Sequence, residues 1–380
     1  MSDDEAGLRP ASSMTSLSLT VSATQILHAI LLRCNKLILN RYFYVLLSRI
    51  RRGTVGSNGF ETNNDNITGV CAVTLLFCST TDRSDRWLSE LDARLPGLEV
   101  RVWPEMGDPA DIEMALVWKP PHGLLATLPN LKLIVSLGAG VESLLLDPTL
   151  PDVPLVRMVS EGLTVDMAGY VALQVLRWHR LLDEYKALQQ AGRWEPLDPC
   201  PASEVSVGIL GMGELGMASA KTLLSMDYRV LGWSRTPKTL PGVESFSGPD
   251  GLAAMLGQCN LLVCLLPLTA ETRGLLNRKL FAALPKGAVV VNAARGGHLV
   301  EEDLLAALES GHIAGASLDV FAEEPLPAGH PFWTHPKVHV TPHVAAVTHP
   351  SRSAAVVAEA ITAFREGRPL PNLVDRSQGY

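Results

Sequence analysis

Three observations predict an α/β protein with two parallel-sheet domains. The chain has 380 residues, enough for about two domains. From about Val70 onward, short apolar runs alternate with helical patterns, which is typical of parallel strands joined by crossover helices. One apolar run, residues 205–210, leads directly into a glycine-rich turn and a further helical pattern. With 47% hydrophobic residues, the chain can bury two substantial cores.

Overall charge and cysteine usage exclude several classes of protein. Only 19% of the residues are charged and the formal net charge is −7, so no nucleic-acid partner is expected. The six cysteines are scattered, with no Cys-x-x-Cys and no ligand-like Cys/His spacing. We therefore predict no metal site, and reduced, buried thiols in a cytoplasmic protein.

Residues 1–69 differ from the remainder and are predicted to be a poorly ordered extension. They contain seven basic and five acidic residues, and residues 6–60 contain no acid. Such an Arg-rich, acid-poor and Ser/Thr-rich start is also compatible with a transit peptide, so organellar targeting stays open. The uncharged run 10–32 is long enough to span a membrane, but eight of its residues are Ser or Thr, so no span is expected.

The first α/β unit begins near Val70. Residues 84–94 have the spacing of an amphipathic helix, with Trp87, Leu88 and Leu91 on one face. Short apolar runs punctuated by Gly or Pro predict strands at residues 72–78, 98–102, 114–118 and 131–137.

A long helical pattern at about residues 165–190 is predicted to connect this unit to a second one. Its core-facing positions are predicted to be leucines, namely Leu173, Leu176, Leu181, Leu182 and Leu188. Gly192 and the prolines after it end the pattern. The second unit then supplies candidate strands at residues 205–210, 228–233, 261–266, 288–292, 315–320 and 338–340, and a last helix at 351–366.

The glycine-rich turn has the spacing of a Rossmann-type dinucleotide site. Gly211 permits the tight turn after the strand, Gly213 lets the backbone approach a pyrophosphate, and Gly216 allows the helix to pack closely on the strand. The helix starts at Glu214 and Leu215, and its first N–H groups would face the phosphates. The sequence therefore predicts a dinucleotide cofactor here.

The end of the next strand indicates which dinucleotide is preferred. An NAD site would place an acid here, about 20 residues past the turn, to bind the ribose hydroxyls. The chain has Ser234, Arg235 and Lys238 instead, which offer a hydroxyl and two cations to a 2′-phosphate. We predict a preference for NADPH, with NADH as the weaker cofactor; the alternative is that both cations are simply solvated.

Three polar residues follow later predicted strands of the second unit. Arg295 offers a planar fork suited to a carboxylate and its adjacent carbonyl. Glu324 could hold one ring nitrogen of His343, orient the imidazole and favour its protonated form. Because parallel sheets bind ligands at the carboxyl ends of their strands, we expect the trio to meet in one site. A cation, a carboxylate and an imidazole beside a dinucleotide suit the reduction of a 2-keto acid.

From about Val70 to Tyr380 the sequence resembles the D-isomer-specific 2-hydroxyacid dehydrogenases, and most closely their glyoxylate/hydroxypyruvate reductase A branch. The match covers about four-fifths of the chain and does not include residues 1–69. The matching segments are Leu-Val-Trp-Lys-Pro-Pro at 116–121, Leu-Gly-Ala-Gly-Val-Glu at 137–142, the Gly211 turn, and residues 233–236, 292–296, 318–321, 324–327, 341–346, 374–376 and 379–380.

This resemblance implies roles for individual residues. His343 would be the general acid/base, Glu324 its partner, and Arg295 the substrate-binding cation. The amides of Gly138, Ala139 and Gly140 would cradle the substrate carboxylate, and Trp118 would line the pocket. The family further places Asp319 near the nicotinamide carboxamide; residues along the nucleotide would be Leu266, Pro267 and Ala293.

The resemblance also implies an architecture and an activity. Two Rossmann-like domains would enclose a cleft: a substrate domain of residues 70–168 completed by 345–380, and a dinucleotide-binding domain of residues 169–344. The expected reaction is NADPH-dependent reduction of glyoxylate and hydroxypyruvate to glycolate and glycerate, in a homodimer. Two alternatives stay open: a reductase for another 2-keto acid, or a nucleotide-sensing corepressor with the same fold.

Overall fold

Two parallel β-sheets organise the part of the chain that the structure describes, residues 73–379 of a computed structural model. The predictions for residues 1–69, an extension with a possible targeting role, lie outside the described residues. Every pairing between the named strands is parallel. The predicted fold class, two Rossmann-like parallel-sheet domains, is therefore confirmed.

The first sheet has five strands in the order β2-β1-β3-β4-β5. These strands are β1 (Thr74–Ser79), β2 (Glu99–Val102), β3 (Ile112–Trp118), β4 (Leu133–Ser136) and β5 (Leu155–Val156). Helices α1 (Ser84–Asp92) and α2 (Glu142–Leu145) follow β1 and β4. The two-residue strand β5 was not predicted, because a run this short carries no detectable periodicity.

The second sheet has seven strands in the order β12-β11-β10-β9-β6-β7-β8. These are β6 (Ser206–Leu210), β7 (Arg229–Ser234), β8 (Val243–Ser247), β9 (Leu261–Cys264), β10 (Ala288–Asn292), β11 (Ile313–Leu318) and β12 (Val338–Val340). Helices on this sheet are α5 (Glu214–Ser225), α6 (Gly248–Leu256), α7 (Arg278–Ala283) and α8 (Glu301–Glu309). The strand order reverses between β6 and β9, where doubly wound sheets bind their ligands.

Helix α3 (Glu161–His179) belongs to both cores. Near its start, Leu163 packs with the core of the first sheet, whereas Met167, Val171 and Val175 pack with the core of the second. The predicted domain boundary at residue 168 thus falls inside one continuous helix.

The predicted helix at 165–190 is two helices, and its predicted core positions were wrong. Leu181 adopts a left-handed conformation with φ of 56°, which separates α3 from α4 (Leu182–Gln190). Leu173 is 57% exposed and Leu182 is 51% exposed. The buried face of α3 instead includes small and β-branched residues such as Ala168, Val171, Ala172 and Val175, which allow close approach to α5.

The last helix, α9 (Pro350–Arg365), returns to the first sheet. Its buried Ala354, Val357, Ala360 and Ile361 join the core formed by β1, β3, β4 and α1. This packing is what the proposed discontinuous substrate domain requires. The chain passes from the second sheet back to the first through residues 341–349.

Candidate active site

A cavity of about 1510 Å³ lies at the carboxyl ends of both sheets. Its walls are the segments that follow β1, β3, β4 and β5 of the first sheet and nearly every strand of the second. All of the residues singled out in the sequence for catalysis, cofactor or substrate line it. The structure therefore brings the predicted site residues together in one cleft.

The glycine turn after β6 has the shape of a pyrophosphate site. Gly211 has φ of 105°, and a Cβ atom there would lie 2.8 Å from the backbone of Leu265. A Cβ atom at Gly216 would lie 1.9 Å from the carbonyl oxygen of Gly211, so helix α5 can approach only because that position has no side chain. Gly213, which caps α5, has no atom within 4 Å of its would-be Cβ. The backbone is thus open to a phosphate at a helix N-terminus, and the chain fits a dinucleotide there.

The residues predicted to bind a 2′-phosphate lie where β7 ends. The Ser234 hydroxyl donates to the carbonyl oxygen of Thr236 at 2.7 Å. Arg235 and Lys238 are exposed along the cavity wall, and Arg235 donates to the side chain of Gln378. Two buried residues, Leu266 and Ala293, and the half-buried Pro267 line the same cavity further along the sheet edge.

His343 and Glu324 form a pair in the same cleft. Nδ1 of His343 and Oε2 of Glu324 lie 2.9 Å apart, and the other carboxylate oxygen accepts the amide of Phe321 at 3.2 Å. Burial raises the pKa of Glu324, but the hydrogen bond and charge of His343, the Phe321 amide and the charge of Lys119 outweigh it and lower the pKa to about 2. The Glu324 carboxylate therefore favours its ionised form and contacts one ring nitrogen of His343. Its neighbour Glu323 makes no such contact.

The backbone of His343 is held in an unfavourable conformation by Asp319. His343 has φ of 56°, which non-glycine residues rarely adopt. Its amide donates to the carbonyl oxygen of Asp319 at 2.8 Å. The Asp319 carboxylate accepts the amides of Val344 and Ala345 at 2.9 and 2.8 Å, and the hydroxyl of Thr341 at 2.6 Å. Through these contacts Asp319, which the resemblance places near the nicotinamide, fixes the backbone of the loop that carries His343.

Arg295 is held from both sides of the cleft. Its Nε forms an ion pair with Glu142, at the start of α2, and its Nη1 donates to the carbonyl oxygen of Ala294 at 2.6 Å. A Cβ atom at Gly140 would lie 1.8 Å from Nη2 of Arg295, so the guanidinium sits directly against this glycine. The backbone oxygen of Arg295 accepts from the side chains of Asn292 and His298, each at 3.0 Å.

The predicted amide cradle lies beside Arg295. The Gly138 amide already donates to Oγ of Ser136 at 3.2 Å, whereas the amides of Ala139 and Gly140 make no hydrogen bond to any other described residue. A Cβ atom at Gly138 would lie 2.0 Å from the ring of Trp118, so the indole packs flush on this loop. Two free amides and one aromatic wall therefore remain available for a small carboxylate.

Sequence reasoning missed two charged residues of this site. Glu142 ends the Leu-Gly-Ala-Gly-Val-Glu segment, and Lys119 follows Trp118 with φ of 45°. The Lys119 ammonium lies 3.5 Å from Glu324 and 5.8 Å from the centre of the Trp118 ring. Both residues lie in the first α/β unit and contact the second. Only their position next to predicted pocket residues could have indicated them.

Two features of residues 73–379 bear on other functions. No group of three or more His, Cys, Asp or Glu side chains in this part of the chain could hold a metal ion. None of its helices is long and apolar enough to cross a membrane. Of the four cysteines in it, three are buried, and burial raises the pKa of both Cys259 and Cys264 to about 12; Cys200 is exposed.

A doubly wound sheet that carries an open glycine turn, an Arg and a Glu–His pair along one cleft defines the class of NAD(P)-dependent oxidoreductases. Residues 172–345 match the family model for the NAD binding domain of D-isomer specific 2-hydroxyacid dehydrogenases. The chain belongs to the D-isomer specific 2-hydroxyacid dehydrogenase family. The predicted family and enzyme class are thereby confirmed.

Individual relatives are similar over most of the chain. A glyoxylate/hydroxypyruvate reductase A of Serratia proteamaculans is 45% identical over 312 residues, covering 80% of this chain and 99% of that protein. A family member from Xanthobacter autotrophicus Py2, solved with NADPH and MES, is 45% identical with a TM-score of 0.79, covering 81% of this chain and all of that one. An NADPH-dependent glyoxylate/hydroxypyruvate reductase of Sinorhizobium meliloti, solved with NADP and sulfate, is 40% identical and has a TM-score of 0.77. The match covers 81% of this chain and 100% of that one.

Proposed function

We propose that this protein catalyses the NADPH-dependent reduction of glyoxylate and hydroxypyruvate to glycolate and glycerate. The observation that carries the proposal is the His343–Glu324 pair at 2.9 Å, in one cavity with Arg295 and the Gly211 turn. Relatives at 44–45% identity that span 80% of the chain bear the names of this activity. Trp118 against Gly138 favours small acids over bulky ones.

The chain's own residues favour NADPH over NADH. Where β7 ends, Ser234, Arg235 and Lys238 provide a hydroxyl and two cations, and no acid stands in that segment to bind a ribose 2′-hydroxyl. Arg235 can present a planar fork to a 2′-phosphate. The bound cofactors of the two similar structures, NADPH and NADP, agree with this assignment.

In the proposed mechanism, the groups that act on the substrate are already held by contacts within the protein: Arg295 by Glu142 and Ala294, and His343 by Glu324. Arg295 and the amides of Ala139 and Gly140 bind the carboxylate and keto oxygen of the 2-keto acid. The nicotinamide, when bound, supplies a hydride. His343 donates a proton to the oxygen of the reduced carbonyl, and Arg295 stabilises the negative charge that develops there.

Glu324 keeps the imidazole oriented during this proton transfer. Because its carboxylate is ionised and bonded to Nδ1, the opposite nitrogen of His343 is left for the substrate. Lys119 reaches Glu324 from the first α/β unit at 3.5 Å and so links this carboxylate to the other wall of the cleft.

We further propose a cytoplasmic homodimer with a substrate domain of residues 70–168 and 345–380 and a dinucleotide domain of 169–344. Exposed apolar side chains cluster on α3, α4 and the segment after them, which supports a second protomer there: Val165, Leu173, Leu176, Leu182, Tyr185 and Trp194. Sedimentation of the wild type and of Leu173→Asp tests the dimer. A wild-type monomer contradicts it.

A substrate panel with both cofactors tests the proposed activity. Oxidation of NADPH, followed by its absorbance, should be fast with glyoxylate and hydroxypyruvate and slower with larger 2-keto acids. Arg235→Ala should raise KM for NADPH and leave KM for NADH nearly unchanged. A preference for NADH that Arg235→Ala does not alter contradicts the cofactor assignment, and inactivity on all 2-keto acids contradicts the reaction.

A further inference from the structure

Near the C-terminus, the last of the described residues form a strap from the first sheet to the rim of the nucleotide cleft. We call residues 374–379 the C-terminal strap. The base of the strap is fixed to β5 and to the residues just before that strand. The amide of Val374 donates to the carbonyl oxygen of Leu155 in β5 at 2.8 Å. Arg376 donates to the carbonyl oxygens of Pro151 and Val153 at 2.8 and 2.5 Å. The strap is therefore anchored to the first α/β unit.

The tip of the strap contacts the second unit at the end of β7. Oε1 of Gln378 accepts Nη2 of Arg235 at 2.5 Å, and Nε2 of Gln378 donates to Asp375 at 2.6 Å. Gly379 adjoins the methyl group of Thr269. Gln378 and Gly379 line the same cavity as the glycine turn. The Gln378 amide thus bridges a carboxylate on the strap and the guanidinium predicted to select the cofactor.

We propose that Gln378 is a cofactor-specificity residue that holds the Arg235 guanidinium in position for the 2′-phosphate of NADPH. This inference rests on the assignment of Arg235 in the proposed function. A guanidinium has five N–H donors, and the bond to Gln378 uses one of them. A neutral amide orients the arginine without cancelling its charge, which an acidic side chain at this position would do.

The physical advantage of the contact is entropic. Arginine has many side-chain rotamers, and an exposed arginine loses part of this freedom when it binds a phosphate. Gln378 is itself fixed by Asp375, which also accepts the amide and hydroxyl of Ser377 at 2.9 and 2.6 Å. Part of the ordering of Arg235 is therefore already present before NADPH binds. NADH, which has no 2′-phosphate, gains nothing from it.

Binding titrations that follow cofactor and tryptophan fluorescence test this inference on the full-length protein. In Gln378→Ala, Kd for NADPH should rise roughly 3- to 10-fold, the value of one ordinary hydrogen bond, while Kd for NADH should not change. In Gln378→Glu the rise for NADPH should be larger, because the new carboxylate competes with the phosphate. The matched control is Gln258→Ala, which removes an Arg–Gln bond of the same kind to Arg229, outside the cleft.

The double variant separates failure of this inference from failure of the proposed function. If Arg235 acts through the 2′-phosphate, Gln378→Ala should have no further effect in an Arg235→Ala background. If Arg235→Ala weakens NADPH binding but Gln378→Ala does not, or weakens NADPH and NADH equally, the role of Gln378 is refuted. Tighter NADPH binding by Gln378→Ala also refutes it. An unchanged Kd in Arg235→Ala refutes the cofactor assignment itself.

Discussion

Glu142 and Arg295 form an ion pair that joins the two walls of the cleft. Glu142 begins the helix after β4 of the first sheet, and Arg295 follows β10 of the second. The acid binds Nε and the backbone of Ala294 binds Nη1, so two directions of the guanidinium are fixed before any substrate arrives. A residue that prediction from sequence left without a role therefore determines how the proposed substrate-binding cation points.

Removing this acid should weaken catalysis without weakening cofactor binding. In Glu142→Ala, Arg295 loses its partner at Nε, and we expect kcat/KM for glyoxylate to fall about 10-fold, with Kd for NADPH unchanged. Glu113→Ala is the matched control, since Glu113 pairs with Lys132 at 2.9 Å on the surface of the same sheet. Equal kinetics for the two variants would show that the ion pair does not orient Arg295.

Replacing the proposed proton donor should abolish most turnover while preserving the loop. Asparagine tolerates the left-handed backbone of residue 343 better than alanine does, so His343→Asn isolates the loss of the imidazole. We expect kcat to fall at least about 100-fold. His349→Asn, at an exposed histidine paired with Asp166, should retain wild-type kcat. The hypothesis fails if both variants turn over alike.

The ionised state of Glu324 should make stability depend on pH. Its pKa is lowered from 4.5 to about 2 in the folded protein, so the contribution of its ionised form is fully present above about pH 4.5 and is lost as the pH falls towards 2. In urea unfolding at pH 7, Glu324→Gln should be less stable than wild type by about 1–3 kcal/mol. The difference should shrink between pH 4.5 and pH 2; a constant difference would contradict the assignment.

The contact between Gly138 and Trp118 should set the size of the substrate site. A Cβ atom in Gly138→Ala would force the indole away, since the two would otherwise lie 2.0 Å apart. We expect KM for glyoxylate to rise about 10-fold through loss of positioning. The control is Gly329→Ala, at an exposed position outside the cleft where no atom lies within 4 Å of the added Cβ atom, so KM should not change. An unchanged KM would mean that Trp118 does not shape the site.

Much of this site was predictable because most of its residues directly follow the carboxyl ends of strands. The residues that follow β6, β7, β10, β11 and β12 are fixed in place once the sheet order is known, so Gly211, Arg295 and His343 had to converge. The short edge strand β8 escaped prediction because its sequence, Val-Glu-Ser-Phe-Ser, is half polar and exposed.

Two kinds of feature were not predictable. The leucines of α3 and α4 have helical spacing, but the opposite face of α3 is also apolar, so periodicity alone could not choose the buried side. The contacts of Glu142, Lys119 and Gln378 join segments that are 140 residues or more apart and belong to different sheets. No local pattern encodes such pairs, because they depend on how the two sheets are placed.

The chain passes between the sheets twice, along α3 and along residues 341–349, and His343 lies on the second passage. Opening the cleft must bend or twist these two connections, while the far walls travel the greatest distance. The imidazole of His343 is therefore carried by one of the two connections and not by either wall of the cleft. When the cleft opens, a proton donor on a connection between the two sheets is displaced less than a residue on the far walls.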